Sequence, residues 1–240
     1  MKAIICAGGS GTRLLPLTKT INKHLLPIGI EPMILRIIKQ ITSCNIESVA
    51  IVTTPEGMTP ISSFLGDGSD YNCNITYFCQ SKPLGIIHAI LQAENFLSND
   101  PFMVILGDNI SFDNLSKHVL DFTKSKKEAH FFLKKVENPS QFGIAVFDKN
   151  ELVQIVEKPK VPPTDCCVTG IYLYKSSVLQ KMKKIKPSER GEFEISEVNS
   201  NLAALKKASY SMLENFWIDA GTINDYVLAN KYFYETQNNL

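Results

Sequence analysis

The chain has 240 residues, with 25 basic and 24 acidic side chains and a formal net charge of +1. That balance excludes a general electrostatic pull toward nucleic acid or an anionic membrane, and 44% hydrophobic with 20% charged residues is the composition of a globular domain with a large core. No apolar run reaches the roughly 18 residues of a membrane span, and the N-terminus lacks the features of a signal peptide, so the sequence predicts a cytoplasmic protein that needs no membrane.

The first half alternates. Residues 3–7 read as a buried strand, 32–44 as a helix with Met33, Ile34, Ile37, Ile38 and Ile41 on one stripe, and 49–53 as a second strand. A short helix over 59–65, a strand over 75–79, a helix over 85–97 and an apolar strand over 102–106 follow. This order predicts an α/β fold: a doubly wound, Rossmann-like, mainly parallel sheet with helices on both faces and right-handed crossovers. The second half is richer in strands, at 129–136, 143–147, 152–156 and 168–174, with late strands at 208–213 and 216–218. Helices are expected at 176–182, 194–204 and 223–236. The reading is one domain, 1–240, with a doubly wound half (1–112) and a β-rich half (113–240).

Cys6, Cys44, Cys73, Cys79, Cys166 and Cys167 form no CxxC pair and have no histidine-rich partner cluster. Zinc is therefore not expected, and free thiols in a reducing compartment are.

Ligands of doubly wound folds bind at the carboxyl ends of the strands. Three candidate segments fall there. Gly8-Gly9-Ser10-Gly11-Thr12-Arg13 follows the first strand; its glycines let backbone N–H groups face a bulky anion, and Arg13 adds a fixed positive fork. It lacks the Gly-Lys-Ser/Thr of a Walker loop and the third glycine of a dinucleotide fingerprint, so it reads as a phosphate loop of another kind or as a tight turn alone. Gln80–Gly85 follows the third strand. Gly107-Asp108-Asn109 follows the fourth, where Asp108 suits Mg²⁺ bridging to phosphates and equally suits a turn. Asp219, after the only tryptophan, Trp217, is a second carboxylate or a capping residue. Lys158, held by Pro159, suits a phosphate as a point charge, or a solvated pair with Glu157.

The phosphate loop, Asn22-Lys23-His24-Leu25-Leu26-Pro27, Leu106-Gly107-Asp108-Asn109, Glu157-Lys158-Pro159, Val168-Thr169-Gly170, Arg190-Gly191-Glu192-Phe193-Glu194 and Trp217-Ile218-Asp219-Ala220-Gly221-Thr222 occur in one order. That order resembles the sugar-1-phosphate nucleotidylyltransferases, most closely glucose-1-phosphate thymidylyltransferases. The resemblance implies that Gly8, Gly9, Gly11, Thr12, Arg13 and Lys23 wrap a nucleoside triphosphate, and that Gln80 and Gly85 read a pyrimidine. It implies that Asp108 and Asp219 bind Mg²⁺, and that Gly143, Glu157, Lys158, Thr169, Glu192 and Trp217 line a sugar phosphate. The implied reaction joins dTTP, or UTP, to a sugar 1-phosphate and releases pyrophosphate, with Arg13, Lys23, Asp108, Lys158 and Asp219 as its catalytic set. A homo-oligomer is a further expectation. His24 departs from the family's usual Gln, and Ala220 from a usual Thr. The rival readings are a uridylyltransferase or other sugar-1-phosphate nucleotidylyltransferase, and a non-catalytic binder of sugar nucleotides.

Overall fold

A computed structural model describes residues 1–237 of the chain; the last three residues of the expected second half lie outside the described residues. The first half winds as β1 (Lys2–Ala7), α1 (Met33–Ser43), β2 (Ser48–Thr53), α2 (Pro55–Leu65), β3 (Asn74–Cys79), α3 (Ile86–Gln92), α4 (Glu94–Leu97) and β4 (Phe102–Leu106). β1 pairs in parallel with both β2 and β4, and β2 with β3, which is the expected doubly wound core.

The remaining elements are β5 (Asn109–Ser111), α5 (Ser116–Lys124), β6 (Ala129–Lys135), β7 (Gly143–Asp148), β8 (Glu151–Glu157) and β9 (Cys166–Tyr174), then α6 (Leu179–Met182), α7 (Ile195–Ala204), β10 (Ala208–Met212), β11 (Trp217–Asp219) and α8 (Ile223–Gln237). β9 runs antiparallel to β4, so one nine-stranded mixed sheet in the order β8-β7-β9-β4-β1-β2-β3 continues through both halves. β6 branches from β9, and β10 pairs in parallel with β6.

Alternation along β1 explains the two covered faces. Ala3, Ile5 and Ala7 pack with Ile34, Ile37 and Ile41 of α1. Ile4 points the other way, toward Ile87 and Ile90 of α3. A strand buried on both sides reads as a continuous apolar run, and β4 is one.

Three local expectations change. The helix expected over 85–97 is two helices, because Ala93 leaves helical geometry at φ −98° and ψ 14°. Gly85 lies outside the helix as its N-cap, at φ +98°. The segment expected as helix from Ser176 is a 3₁₀ turn over Ser176–Val178 followed by α6. α5 and β5 were not anticipated: α5 buries only Val119 and Phe122 in an otherwise polar segment, and β5 is three residues long.

β5 matters for the site. It pairs antiparallel with β11, setting Asp219 opposite Asn109. Ala220 N–H also donates to the Asp108 carbonyl at 2.8 Å. A short ribbon thus joins the end of β4 to a segment more than a hundred residues later.

Candidate active site

Two adjoining cavities lie at the carboxyl ends of the central strands. The first, about 590 Å³, is bordered by Gly8 and Gly9 after β1, Gln80 after β3, Gly85, Lys23 and Asp108. The second, about 760 Å³, is bordered by Arg13, Gly143, Glu157, Lys158, Trp217 and Asp219. Ile86, Leu106 and Glu192 border both. A polar trough along Gly8, Gly9, Thr18 and Lys23 continues the first cavity outward.

The glycines are required by their neighbours. A Cβ on Gly8 would lie 2.6 Å from Gln80 Oε1, and one on Gly9 would lie 2.6 Å from Lys23 Cε and Nζ. Lys23 therefore lies flat on the Gly-rich loop, with Nζ 2.5 Å from Asp108 Oδ2. Gly11 and Thr12 sit at the turn beyond, where Gly11 has φ +69° and opens the 3₁₀ turn Thr12–Leu14. They hold the loop's shape through Gly11 O, which accepts from Thr18 Oγ1 at 2.8 Å.

Asp108 and Asp219 have opposite electrostatic fates. Burial works against the charge on Asp108, but the Lys23 charge and hydrogen bond, with help from Asn109 Nδ2, hold it down at about 2. Burial first, and then the charge of Asp108, pushes Asp219 up to about 7, against the pull of Lys23 and Arg13. Its Oδ1 accepts from Gly221 N–H at 3.0 Å, and Arg13 stands beside Gly221. The Asp108 charge raises the proton affinity of Asp219, and a carboxylate pair so placed suits a divalent cation, where Lys23 already places one positive charge. Among the described residues no group of three or more His, Cys, Asp or Glu side chains forms a closed metal cage. A two-carboxylate set fits Mg²⁺, which completes its shell with phosphate oxygens and water.

In the second cavity Lys158 adopts φ +41°, an uncommon backbone for a side-chain-bearing residue, and its own N–H donates to Phe142 O at 3.0 Å. Glu157 Oε1 accepts from Arg190 Nη2 at 3.3 Å, and Arg190 also bonds Glu194 at 2.8 Å. Strand alternation turns Val168, Gly170 and Tyr172 toward this cavity. Thr169 points the other way: fully buried, it donates its hydroxyl to Phe132 O at 2.8 Å. Its side chain does not line the cavity, which revises the expectation for that residue.

Asn109 was not singled out from the sequence. Its Oδ1 accepts from Gly170 N–H at 2.8 Å and Trp217 Nε1–H at 3.1 Å, while Nδ2 donates to Asp108 Oδ1 at 3.2 Å. One buried carboxamide therefore ties the Asp108 carboxylate to both walls of the second cavity. Its adjacency to Asp108 was the available signal. His24 is 1% exposed and donates through Nδ1 to Asn22 Oδ1 at 2.9 Å, while its other edge packs on Gly107. Burial, and then the Lys23 charge, lowers its pKa to about 3. It lines neither cavity.

A glycine-bordered cavity and a carboxylate pair at the strand ends of a doubly wound sheet is the arrangement of nucleotide-binding α/β proteins. The family model described as Nucleotidyl transferase matches residues 2–236, and the chain belongs to that family. It is 38% identical over 232 residues to a glucose-1-phosphate thymidylyltransferase of Neisseria meningitidis, covering 92% of this chain and 78% of that protein. It is 36% identical to a low-salt glycan biosynthesis nucleotidyltransferase of Haloferax volcanii, covering 96% of this chain but spanning only 65% of the relative's length. A Bacillus anthracis crystal structure, assigned as a glucose-1-phosphate thymidylyltransferase and bound to a sucrose, superposes with a TM-score of 0.93 at 42% identity, covering 97% of this chain and 94% of that one. A UDP-glucose pyrophosphorylase complexed with UDP-glucose superposes with a TM-score of 0.85 at 26% identity, covering 98% of each chain. Among the described residues no helix is long and apolar enough to cross a membrane.

Proposed function

We propose that this chain transfers a thymidylyl group from dTTP to a sugar 1-phosphate, with glucose 1-phosphate as the first candidate, giving a dTDP-sugar and pyrophosphate. The observation that carries the reading is the junction of the two cavities. Gly8, Gln80, Gly85, Lys23 and Asp108 border one, Arg13, Glu157, Lys158 and Asp219 the other, and they meet at Leu106 and Glu192.

In this reading a phosphate oxygen of the sugar 1-phosphate forms a bond to the α-phosphorus as the bond from that phosphorus to the pyrophosphate oxygen breaks. The nucleophile is already an anion, so the protein supplies no general base. Its task is to bring two polyanions together in line. Lys23 and the Gly-rich loop take the triphosphate, Lys158 takes the sugar's phosphate, and Arg13 stands between them beside Asp219. Asp108 and Asp219 would hold Mg²⁺, which supplies charge neutralisation at the α-phosphate when bound. Glu157 and Gly143 would meet the sugar hydroxyls, with Trp217 behind them. With Mg²⁺ held by Asp108 and Asp219, Lys23 would be free to turn from Asp108 to the triphosphate.

UTP in place of dTTP is the second reading. It is favoured by the likeness to the UDP-glucose pyrophosphorylase and by the ability of one carboxamide to serve thymine and uracil alike. Pyrophosphate release across four nucleoside triphosphates and several sugar 1-phosphates tests the proposal. Release that requires a pyrimidine triphosphate, a sugar 1-phosphate and a divalent cation together supports it. Release from no pair refutes it.

A further inference from the structure

Gln80 is 3% exposed, and both hydrogens of its carboxamide are committed. Nε2 donates to Gly85 O at 3.2 Å and to His88 Nδ1 at 2.9 Å. His88 lies in the first turn of α3, and its ring stacks on Phe193 with centroids 6.4 Å apart and planes at 17°. Phe193 is itself anchored, its N–H donating to Leu84 O at 2.9 Å. On the far side of the ring Gln92 Nε2 lies 3.3 Å from His88 Nε2, so both ring nitrogens meet a side-chain amide. The arrangement leaves Gln80 Oε1 on the Gly8 side, facing the first cavity, and no donor among the described residues bonds it. Exchanging the two ends of the amide would set Oε1 against the Gly85 carbonyl, which can only accept, and would leave that carbonyl without its donor.

We propose that His88 is a positioning residue for base selection. By accepting from Gln80 it fixes the carboxamide with its oxygen toward the base, and so selects nucleotides whose ring N3 carries a hydrogen. Thymine and uracil present that donor between two carbonyl acceptors. Cytosine presents an N3 lone pair, which a fixed oxygen repels. Gly8 and Gly85 border the same cavity beside Gln80. The inference rests on the reading of the first cavity as the nucleoside triphosphate site.

The test is kcat/KM for dTTP and for dCTP, with a common sugar 1-phosphate, in wild type, His88→Ala and His88→Gln, with melting temperatures confirming that each variant folds. His88→Ala lowers the dTTP-over-dCTP preference roughly tenfold, the worth of one hydrogen bond, with the change carried in KM. His88→Gln restores the preference, because its side-chain oxygen accepts from Gln80 as the imidazole does. An unchanged preference in His88→Ala overturns the inference, as does a loss in His88→Gln equal to that in His88→Ala. A wild type that turns over no pyrimidine triphosphate refutes the underlying function instead; calorimetric binding of dTTP and dCTP to the same three proteins then reads the role of His88 without turnover.

Discussion

Replacing Asp219 by asparagine raises the stability of the metal-free protein at alkaline pH. Burial and the Asp108 charge lift the Asp219 carboxyl from 3.8 to about 7 in the folded state. A folded value above the unfolded one means that stability is full below about pH 3.8 and falls as the pH rises through about 7, because folding then confines a charge that the unfolded chain solvates freely. A shift of about 3 units is worth at most ~4 kcal/mol, and ~2–4 kcal/mol once residual solvation is allowed for. The Asp219→Asn variant keeps an oxygen for Gly221 N–H and removes the charge. In a chain of 240 residues it raises Tm at pH 8, with chelator present, by roughly 4–16 °C. The gain shrinks by more than half at pH 5. Asp108 acts in a separate window: held at about 2, it contributes stability that is present above pH 3.8 and lost only as the pH falls toward 2. Thermal melts of wild type and variant at the two pH values check the sign. Equal Tm at pH 8, or a gain that grows toward acid, refutes the reasoning.

Lys158→Ala raises KM for the sugar 1-phosphate at least tenfold and changes KM for the nucleotide little; initial rates over both substrates measure this, and the reverse pattern moves Lys158 to the triphosphate side. Gly170→Ala places a Cβ 2.7 Å from Asn109 Cγ and Oδ1 in a packed wall. It destabilises by ~1–3 kcal/mol, and by displacing Asn109 it shifts the emission of Trp217, the only tryptophan. Denaturant melts and fluorescence spectra report the two effects, and an unshifted spectrum removes Asn109 as the link.

Much of this was legible in residues 1–112. Apolar strands, helical stripes and glycines after β1 set period, length and loop chemistry locally, and the parallel core follows. What the sequence conceals is direction and distance. Thr169 sits in a motif that looks like a cavity wall, yet β9's alternation turns its hydroxyl to Phe132. Asp108 and Asp219 become neighbours only through the β5–β11 ribbon, and the β5 strand is too short to carry a periodic signal. His88 reads as one more helical residue until Gln80 is seen to donate to it. The helix over 85–97 fails because the backbone turns at Ala93, a residue that itself favours helix.

In the proposed reaction Asp108 and Asp219 together hold the cation that lets two anions react. Electron paramagnetic resonance titration of Mn²⁺, with dTTP bound, tests it in wild type and in the Asp108→Asn and Asp219→Asn variants. The wild type binds one tight ion per chain, and each variant binds it at least tenfold more weakly. Wild-type Mn²⁺ affinity retained in both would contradict it.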